Sequence, residues 1–181
     1  MANKDETKVW DVASMTDEGF EKFSVYNFSI EYPPVCRVEF NPKSRREHGD
    51  IVFHFPDKEK VFLSWGDLEK AEKKFDTAEK QAEHSLQSVK KSGNVKKMEK
   101  LEKDTLTLNS HTAAYNRVRV DEQPAGIFTG KRTVPHDAYS IHVHCDKTSR
   151  YFVVYTMLSP RAPEDFGEAI FKVMANSFKC H

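Results

Sequence analysis

The feature that most constrains the fold is a change of hydrophobic period at Gly66-Asp67. Before it, along residues 26–32, apolar and polar residues alternate strictly, which is typical of a half-buried strand. After it, apolar residues recur every three or four positions over residues 68–89. This spacing predicts one helix of about 25 residues with a single apolar face. Because strands precede and follow this helix, the sequence predicts a sheet with helices packed on it.

Further strands are predicted at residues 36–40, 51–55, 61–65, 95–104, 112–120, 139–145 and 151–158. The segment 95–104 is rich in charge and is predicted to lie at the sheet edge. The last two strands form a hairpin, and 151–158 is apolar on both faces, so we expect it to be central and covered on both sides. Pro163 is suited to the first turn of a terminal helix.

These elements predict an α+β fold of the α/β/α sandwich type. Its single twisted, mostly antiparallel sheet is flanked by a long central helix and a C-terminal helix. We expect Phe75, Ala78, Ala82 and Leu86 to pack against the sheet. The chain has 181 residues, which suits one domain. Residues 1–22 are interpreted as a polar N-terminal extension and residues 23–181 as the domain.

Charge and cysteine content narrow the function classes. The 28 Lys and Arg residues balance the 28 Asp and Glu residues, which argues against nucleic acid as a partner. No apolar run has the roughly 18 residues that a membrane helix needs, so we expect no membrane insertion. The polar start of the chain has no signal-peptide pattern. Together with an odd count of 3 cysteines, it favours a reducing cytoplasm without a structural disulfide.

Four segments carry a resemblance to a known family: Ile30-Glu31-Tyr32-Pro33, residues 108–113, residues 150–155 and residues 176–179. Their order resembles the PsbP-like superfamily, over about residues 23–179. This group includes the photosystem II PsbP subunit, its relatives and a nuclear-import factor that binds the Ran GTPase. The resemblance implies an antiparallel sheet between helices and a non-enzymatic role in binding or assembly. Ser110 departs from the family, which often has Gly there, and no catalytic residue is implied.

His142 and His144 are the candidate metal ligands. They flank Val143 on a predicted strand, so their side chains point to the same face and could bind zinc or another divalent ion. Cys180 and His181 are chemically suitable further ligands. The alternative is two polar histidines on a solvated or partly covered face, without any metal. Cys145 falls on the opposite face, where we interpret it as a small buried apolar residue.

No catalytic motif is present, so we expect a non-catalytic protein-binding or assembly module without a cofactor. The alternative is a metal-binding protein built on His142 and His144. Residues 121–138 have no periodicity and are interpreted as a long connection, a class of segment that is often functional. Its aromatic and basic side chains predict a partner surface, and a basic turn predicts a second one; these residues are Phe128, Lys131, Arg132 and His136, and Arg45 and Arg46.

Overall fold

A computed structural model describes residues 19–123, 132–163 and 165–181. Its strands are β1 Glu21–Val25, β2 Phe28–Tyr32, β3 Arg37–Phe40, β4 Gly49–His54, β5 Lys60–Asp67, β6 Val95–Leu108, β7 His111–Glu122, β8 Val134–Cys145 and β9 Arg150–Met157. Its α-helices are α1 Leu68–Phe75, α2 Ala78–Lys90 and α3 Lys172–Ser177. A π-helical turn, Gly167–Phe171, leads into α3, and a 3₁₀ turn, Asp146–Thr148, joins β8 to β9.

Seven strands form one antiparallel sheet in the order β3-β4-β5-β9-β8-β7-β6. The predicted final hairpin, β8 and β9, lies in the middle of this sheet, and the charged strand β6 lies at its edge. Both placements confirm the sequence-based predictions. Strands β1 and β2 pair with each other in a separate two-stranded ribbon. Strand β1 was not predicted, because its first residues fall within the segment 1–22 that is interpreted from the sequence as a polar extension.

The predicted long central helix is wrong, because the chain forms two short helices there. Asp76 has a φ of 57°, which ends α1, and Thr77 then caps α2 by accepting from the backbone N–H of Lys80. The apolar period runs through this break unchanged, so periodicity alone could not locate it. Phe75, at the end of α1, is only half-buried and its ring contacts that of His84.

The main core lies on the face of the sheet that β2 and the C-terminal helix cover. Phe28, Phe152 and Phe178 pack ring against ring at its centre. The opposite face carries α2 over β6, β7 and β8. Coverage of β9 on that face is incomplete, since Tyr155 is 40% exposed and Met157 is 39% exposed. The expectation that this strand is covered on both faces is therefore wrong.

The C-terminal tail crosses back to β2. Lys179 and Ser29 exchange two backbone hydrogen bonds of 2.8 Å each, and Phe178 packs against both Phe28 and Phe152. These contacts hold the last residues of the chain beside the core. The tail can therefore take part in a site with residues of the sheet.

The predicted connection at residues 121–138 is shorter than expected, because β7 runs to Glu122 and β8 begins at Val134. His136 lies within β8, and its Nδ1 is 3.0 Å from the carbonyl oxygen of Leu158. Phe128 and Lys131 lie outside the described residues, as do residues 1–18 of the predicted extension. No helix in the described ranges is both long and apolar enough to cross a membrane.

Candidate metal centre

Two histidines and two cysteines meet at one end of the central strands. His111, Cys145, Cys180 and His181 each contribute one ligand atom, and the four atoms lie within 4.8 Å of one another. Three separate chain segments supply them: the start of β7, the end of β8 and the C-terminal tail. Thiolate sulfur and imidazole nitrogen are the ligands of structural zinc sites.

Strand pairing brings His111 to Cys145. The β7–β8 register pairs Ala113 with Val143, and continuing it by two residues places His111 opposite Cys145. His111 follows a two-residue hairpin loop, Asn109-Ser110, in which both φ angles are positive. Such a loop fixes the register of β6 against β7, whereas the β7–β8 ladder sets His111 opposite Cys145.

Packing of the tail brings in the other two ligands. Phe178 is 2% exposed, and the Lys179 backbone pairs with β2. Cys180 follows directly and is 1% exposed, whereas His181 lies at the surface. The tail therefore places one buried sulfur and one surface imidazole beside the end of β8.

The candidate ligand atoms lie close to van der Waals contact with one another. Cys145 Sγ lies 3.6 Å from His111 Nε2 and 3.7 Å from His181 Nδ1. Cys180 Sγ lies 3.2 Å from His181 Nδ1. The rings of His111 and His181 meet edge to face, with their centroids 5.3 Å apart.

Polar groups next to the ligands orient the rings. Asp146 Oδ1 lies 3.3 Å from His111 Nδ1, on the side of the ring away from Cys145. Asn109 Nδ2 lies 3.8 Å from Cys180 Sγ and 3.2 Å from His181 Nδ1. A carboxylate behind a histidine ring is a common support of metal-binding histidines, because it fixes the tautomer and the ring orientation.

The two sulfurs influence each other's pKa. The neighbouring Cys180 thiol, and to a smaller extent the Thr148 backbone and His181, hold the pKa of Cys145 well below its usual range, against the effect of burial. The same contact with Cys145, together with burial, raises the pKa of Cys180. A lowered pKa favours the thiolate of Cys145, which is the form that binds metal.

The predicted ligands His142 and His144 lie elsewhere. They share one face of β8, as predicted, but this is the face below α2, whereas Cys145 is buried on the other side. His144 Nε2 lies 2.9 Å from Gln81 Oε1. Within the described residues, no third Cys, His or carboxylate joins these two histidines in a ligand group. Cys180 and His181 join His111 and Cys145 instead.

Sequence reasoning missed His111 and underestimated Cys145, which is buried as expected but contacts the other three ligands. The available signal was the pairing of two predicted strands, which sets His111 opposite Cys145 once the register is known. Nothing in the sequence placed the tail beside them. The register and the tail are tertiary features that periodicity does not encode.

The predicted partner residues occupy separate surfaces. Arg45 and Arg46 are exposed on the turn between β3 and β4. Arg132 is exposed just before β8, and His136 is half-buried. The structure does not bring these residues to the metal centre.

Comparison with known protein families and with curated protein sequences finds no match. The fold is similar to the solution structure of cyanobacterial PsbP (CyanoP) from Synechocystis sp. PCC 6803, with a TM-score of 0.63 and 12% identity over 90% of this chain and 92% of that one. A crystal structure from Bacteroides thetaiotaomicron VPI-5482 gives 0.48, with 12% identity over 89% of this chain and 48% of that one. Protein PA94 of unknown function from Pseudomonas aeruginosa also gives 0.48, with 10% identity over 90% and 97%.

The first of these similarities shows a PsbP-like fold. It agrees with the mostly antiparallel sheet and with the resemblance found in the sequence, and at this identity it concerns the fold alone. The two similarities at a TM-score of 0.48 are too weak to carry an argument. None of these comparisons points to the Ran-binding branch of the superfamily.

Proposed function

We propose that this chain is a non-catalytic metal-binding protein that holds a zinc-type ion between His111, Cys145, Cys180 and His181. The observation that carries the proposal is the spacing of sulfur and nitrogen. Zn–S bonds of about 2.3 Å and Zn–N bonds of about 2.0–2.1 Å in a tetrahedron put sulfur and nitrogen about 3.6 Å apart. The three sulfur–nitrogen separations in the structure are 3.6 Å, 3.7 Å and 3.2 Å.

The donor set favours zinc. Two thiolates with two imidazoles form a Cys₂His₂ set, which is one of the common structural zinc sites. Hard ions such as magnesium and calcium prefer oxygen ligands, whereas this donor set consists of sulfur and nitrogen. His111 would bind through Nε2, because Asp146 faces its Nδ1. His181 would bind through Nδ1, which faces both sulfurs and would exchange its contact with Asn109 Nδ2 for the ion.

A structural role is better supported than a catalytic one. Four protein ligands fill a tetrahedral zinc ion and leave no position for water or substrate. Cys145 is 0% exposed and Cys180 is 1% exposed, so neither thiol offers an accessible nucleophile. The ion would instead join the β6–β7 hairpin, the end of β8 and the tail, so its binding would add to folding stability.

Metal analysis of protein purified under reducing conditions tests the proposal. We expect close to one zinc per chain, and a His111→Ala variant should lose affinity by more than the roughly 10–100-fold that supporting residues typically contribute. His144→Ala is the matched control, because it removes a histidine from the same sheet without touching the centre. Wild-type protein that does not bind added zinc, or equal losses in the two variants, would contradict the proposal.

A protein partner is a second candidate function, supported by the rigid basic turn. Trp65 Nε1 donates to the carbonyl of Arg45 at 2.9 Å, and buried Arg150 donates to the carbonyl of Arg46 at 3.2 Å. The backbone is therefore held while both arginine side chains remain exposed. Such a surface suits an acidic protein patch, because exposed arginines recognise carboxylates.

An Arg45→Ala, Arg46→Ala double variant tests this candidate. The Arg45 and Arg46 carbonyls stay in place, so thermal stability should change little, whereas capture of a native partner should weaken. Lys43→Ala is the control on the same turn, since its side chain is also exposed. Unchanged capture would place the partner surface elsewhere.

The buried free thiols suit a reducing compartment, and we retain a cytoplasmic location as part of the proposal.

A further inference from the structure

A cavity of about 190 Å³ lies between α2 and the sheet, on the face of β8 opposite the metal centre. Leu86 and Val89 of α2 form one wall, and Val118 and Val153 of the sheet form another. Tyr155 and Met157, both partly exposed, lie at its rim. The surface that the cavity presents is almost entirely apolar.

One buried histidine is the exception in this lining. His142 is 1% exposed, and among the described residues its Nδ1 has no hydrogen-bond partner. Burial, and secondarily the charge of His144, lowers the pKa of His142 to about 4, so the ring is neutral near pH 7. A buried polar atom without a partner costs about 1–3 kcal/mol, which is a large penalty for a position that an apolar residue could fill.

Water is a poor occupant of this space. A buried water typically makes two to four hydrogen bonds, which this lining does not offer, and a closed apolar cavity of about 150 Å³ accepts benzene. Thr156 also lines the cavity, but its hydroxyl already donates to the carbonyl of Lys60 at 2.7 Å. The volume therefore suits one aromatic ring, and His142 supplies one hydrogen-bonding atom.

We propose that this cavity binds a small one-ring aromatic molecule that carries a single hydroxyl or N–H group. The ring packs between α2 and the sheet, and its polar group hydrogen-bonds to the imidazole of His142, which turns to bring its solvent-shielded Nδ1 to the cavity. A phenolic hydroxyl suits either tautomer of a neutral imidazole, because it can donate to a bare nitrogen or accept from an N–H. The site is independent of the metal centre, which lies on the other face of β8.

Phenol and toluene are the probes that test the proposal, because they have similar rings and differ in the hydroxyl. In titrations followed by NMR, we expect phenol to bind up to about 10-fold more tightly than toluene, which is the range of one net hydrogen bond. Phenol should shift the ring nitrogen signals of His142 and leave those of His111 unchanged.

Three variants sharpen the test. His142→Leu should bind both probes equally, and Val89→Phe should abolish the binding of both by filling the cavity. His84→Leu, an exposed position on the same helix, is the matched control and should behave as wild type. A preference for phenol that survives in His142→Leu would overturn the proposal. Should that variant fail to fold, wild-type protein whose His142 ring signals do not move at saturating phenol would overturn it equally.

Discussion

The two faces of β8 each carry histidine, yet they offer different chemistry. On one side His111 meets Cys145 and the tail, where four ligand atoms lie within 4.8 Å. On the other side His142 borders an apolar cavity and His144 contacts Gln81. The second pair has the sequence spacing of a metal site, whereas the first group brings together four atoms that could bind a metal.

Side chains from distant segments determine which chemistry a histidine can take part in. Spacing of i and i+2 guarantees a shared face of a strand, but a third and a fourth ligand must come from elsewhere in the fold. Next to Cys145 lie His111 of the neighbouring strand and, from the tail, Cys180 and His181. His142 faces α2, whose nearby positions Leu86 and Val89 are aliphatic.

The largest expected effect comes from loosening the tail that serves only one of the two faces. Phe178 is 2% exposed and its ring centroid lies 4.9 Å from that of Phe152. Phe178→Ala should lower the free energy of unfolding by about 3–5 kcal/mol, measured by chemical denaturation. It should also weaken zinc binding, because Cys180 and His181 follow Phe178, and it should leave phenol binding at the His142 cavity unchanged.

Phe75→Ala is the control for this variant, since the same substitution is made at a half-buried position far from the tail. It should cost clearly less stability and should leave zinc affinity intact. Equal costs for the two variants would show that Phe178 does not anchor the tail in the core.

A pH dependence distinguishes the other face. The pKa of His142 is about 4 in the folded chain, against a usual value of 6.5, so folding favours the neutral ring. The stabilisation is full above pH 6.5 and is lost as the pH falls toward 4. The loss is roughly 3 kcal/mol when each pKa unit counts about 1.4 kcal/mol.

The contribution of His142 to the free energy of unfolding can be measured from denaturation curves of wild type and His142→Leu. The curves are recorded between pH 7 and about pH 4 with a chelator present. Burial also lowers the pKa of His144, so the difference between the two proteins is the relevant quantity. The variant should lose less stability on acidification than wild type. Parallel pH profiles would mean that His142 is accessible to water in the folded state.

Much of the fold could be predicted from the sequence because strand periodicity and central burial are local signals. The alternation within β8 correctly set Cys145 opposite to His142 and His144, and the apolar β9 was correctly placed in the middle of the sheet. The break between α1 and α2 escaped prediction, because the apolar stripe continues across Asp76 and only the backbone turns. A positive φ at an aspartate is not visible in a hydrophobic pattern.

The candidate centre was less predictable than the fold. Cys180 and His181 were recognised as suitable ligands, but their location depends on the Ser29–Lys179 bridge, a contact between the two ends of the domain. His111 required the register of β7 against β8. Ligand chemistry can be read from residue types, whereas convergence of ligands requires the tertiary structure.

A smaller effect is expected from the residues that support the candidate centre. Asp146 lies 3.3 Å from His111 Nδ1, but its side chain is 84% exposed. Asp146→Asn should therefore weaken zinc binding by about 10-fold, the lower end for such supports. Competition with a chromophoric chelator measures the affinity, and Asp104→Asn, on the exposed edge strand β6, is the control that should not change it.

Lys147 should weaken zinc binding, whereas Asp146 should strengthen it. Its Nζ lies 3.1 Å from Nε2 of His181, and an ammonium donates to a bare nitrogen. Metal bound at Nδ1 would leave the proton on Nε2, which would then face that ammonium. Lys147→Ala should thus strengthen zinc binding, by less than Asp146→Asn weakens it. Changes of the same sign in both variants would show that neither residue acts through the histidine rings.

The smallest expected effect concerns the turn that carries His111. Ser110 has a φ of 68°, and the two-residue loop with positive φ at both positions is typical of a type I′ turn, which favours Gly at the second position. Ser110→Gly should relieve the left-handed strain of about 1–2 kcal/mol, partly offset by the greater freedom of glycine in the unfolded chain, for a net gain of about 0.5–1 kcal/mol. Lys58→Gly, at a φ of 76° in a distant turn, is the matched control and should give a similar gain. Zinc affinity should stay within about twofold in both variants, because the β7–β8 ladder and not the loop holds His111 opposite Cys145. If Ser110→Gly alone weakens zinc binding, the turn itself positions the ligand, and the hairpin contributes more to the centre than the strand pairing does.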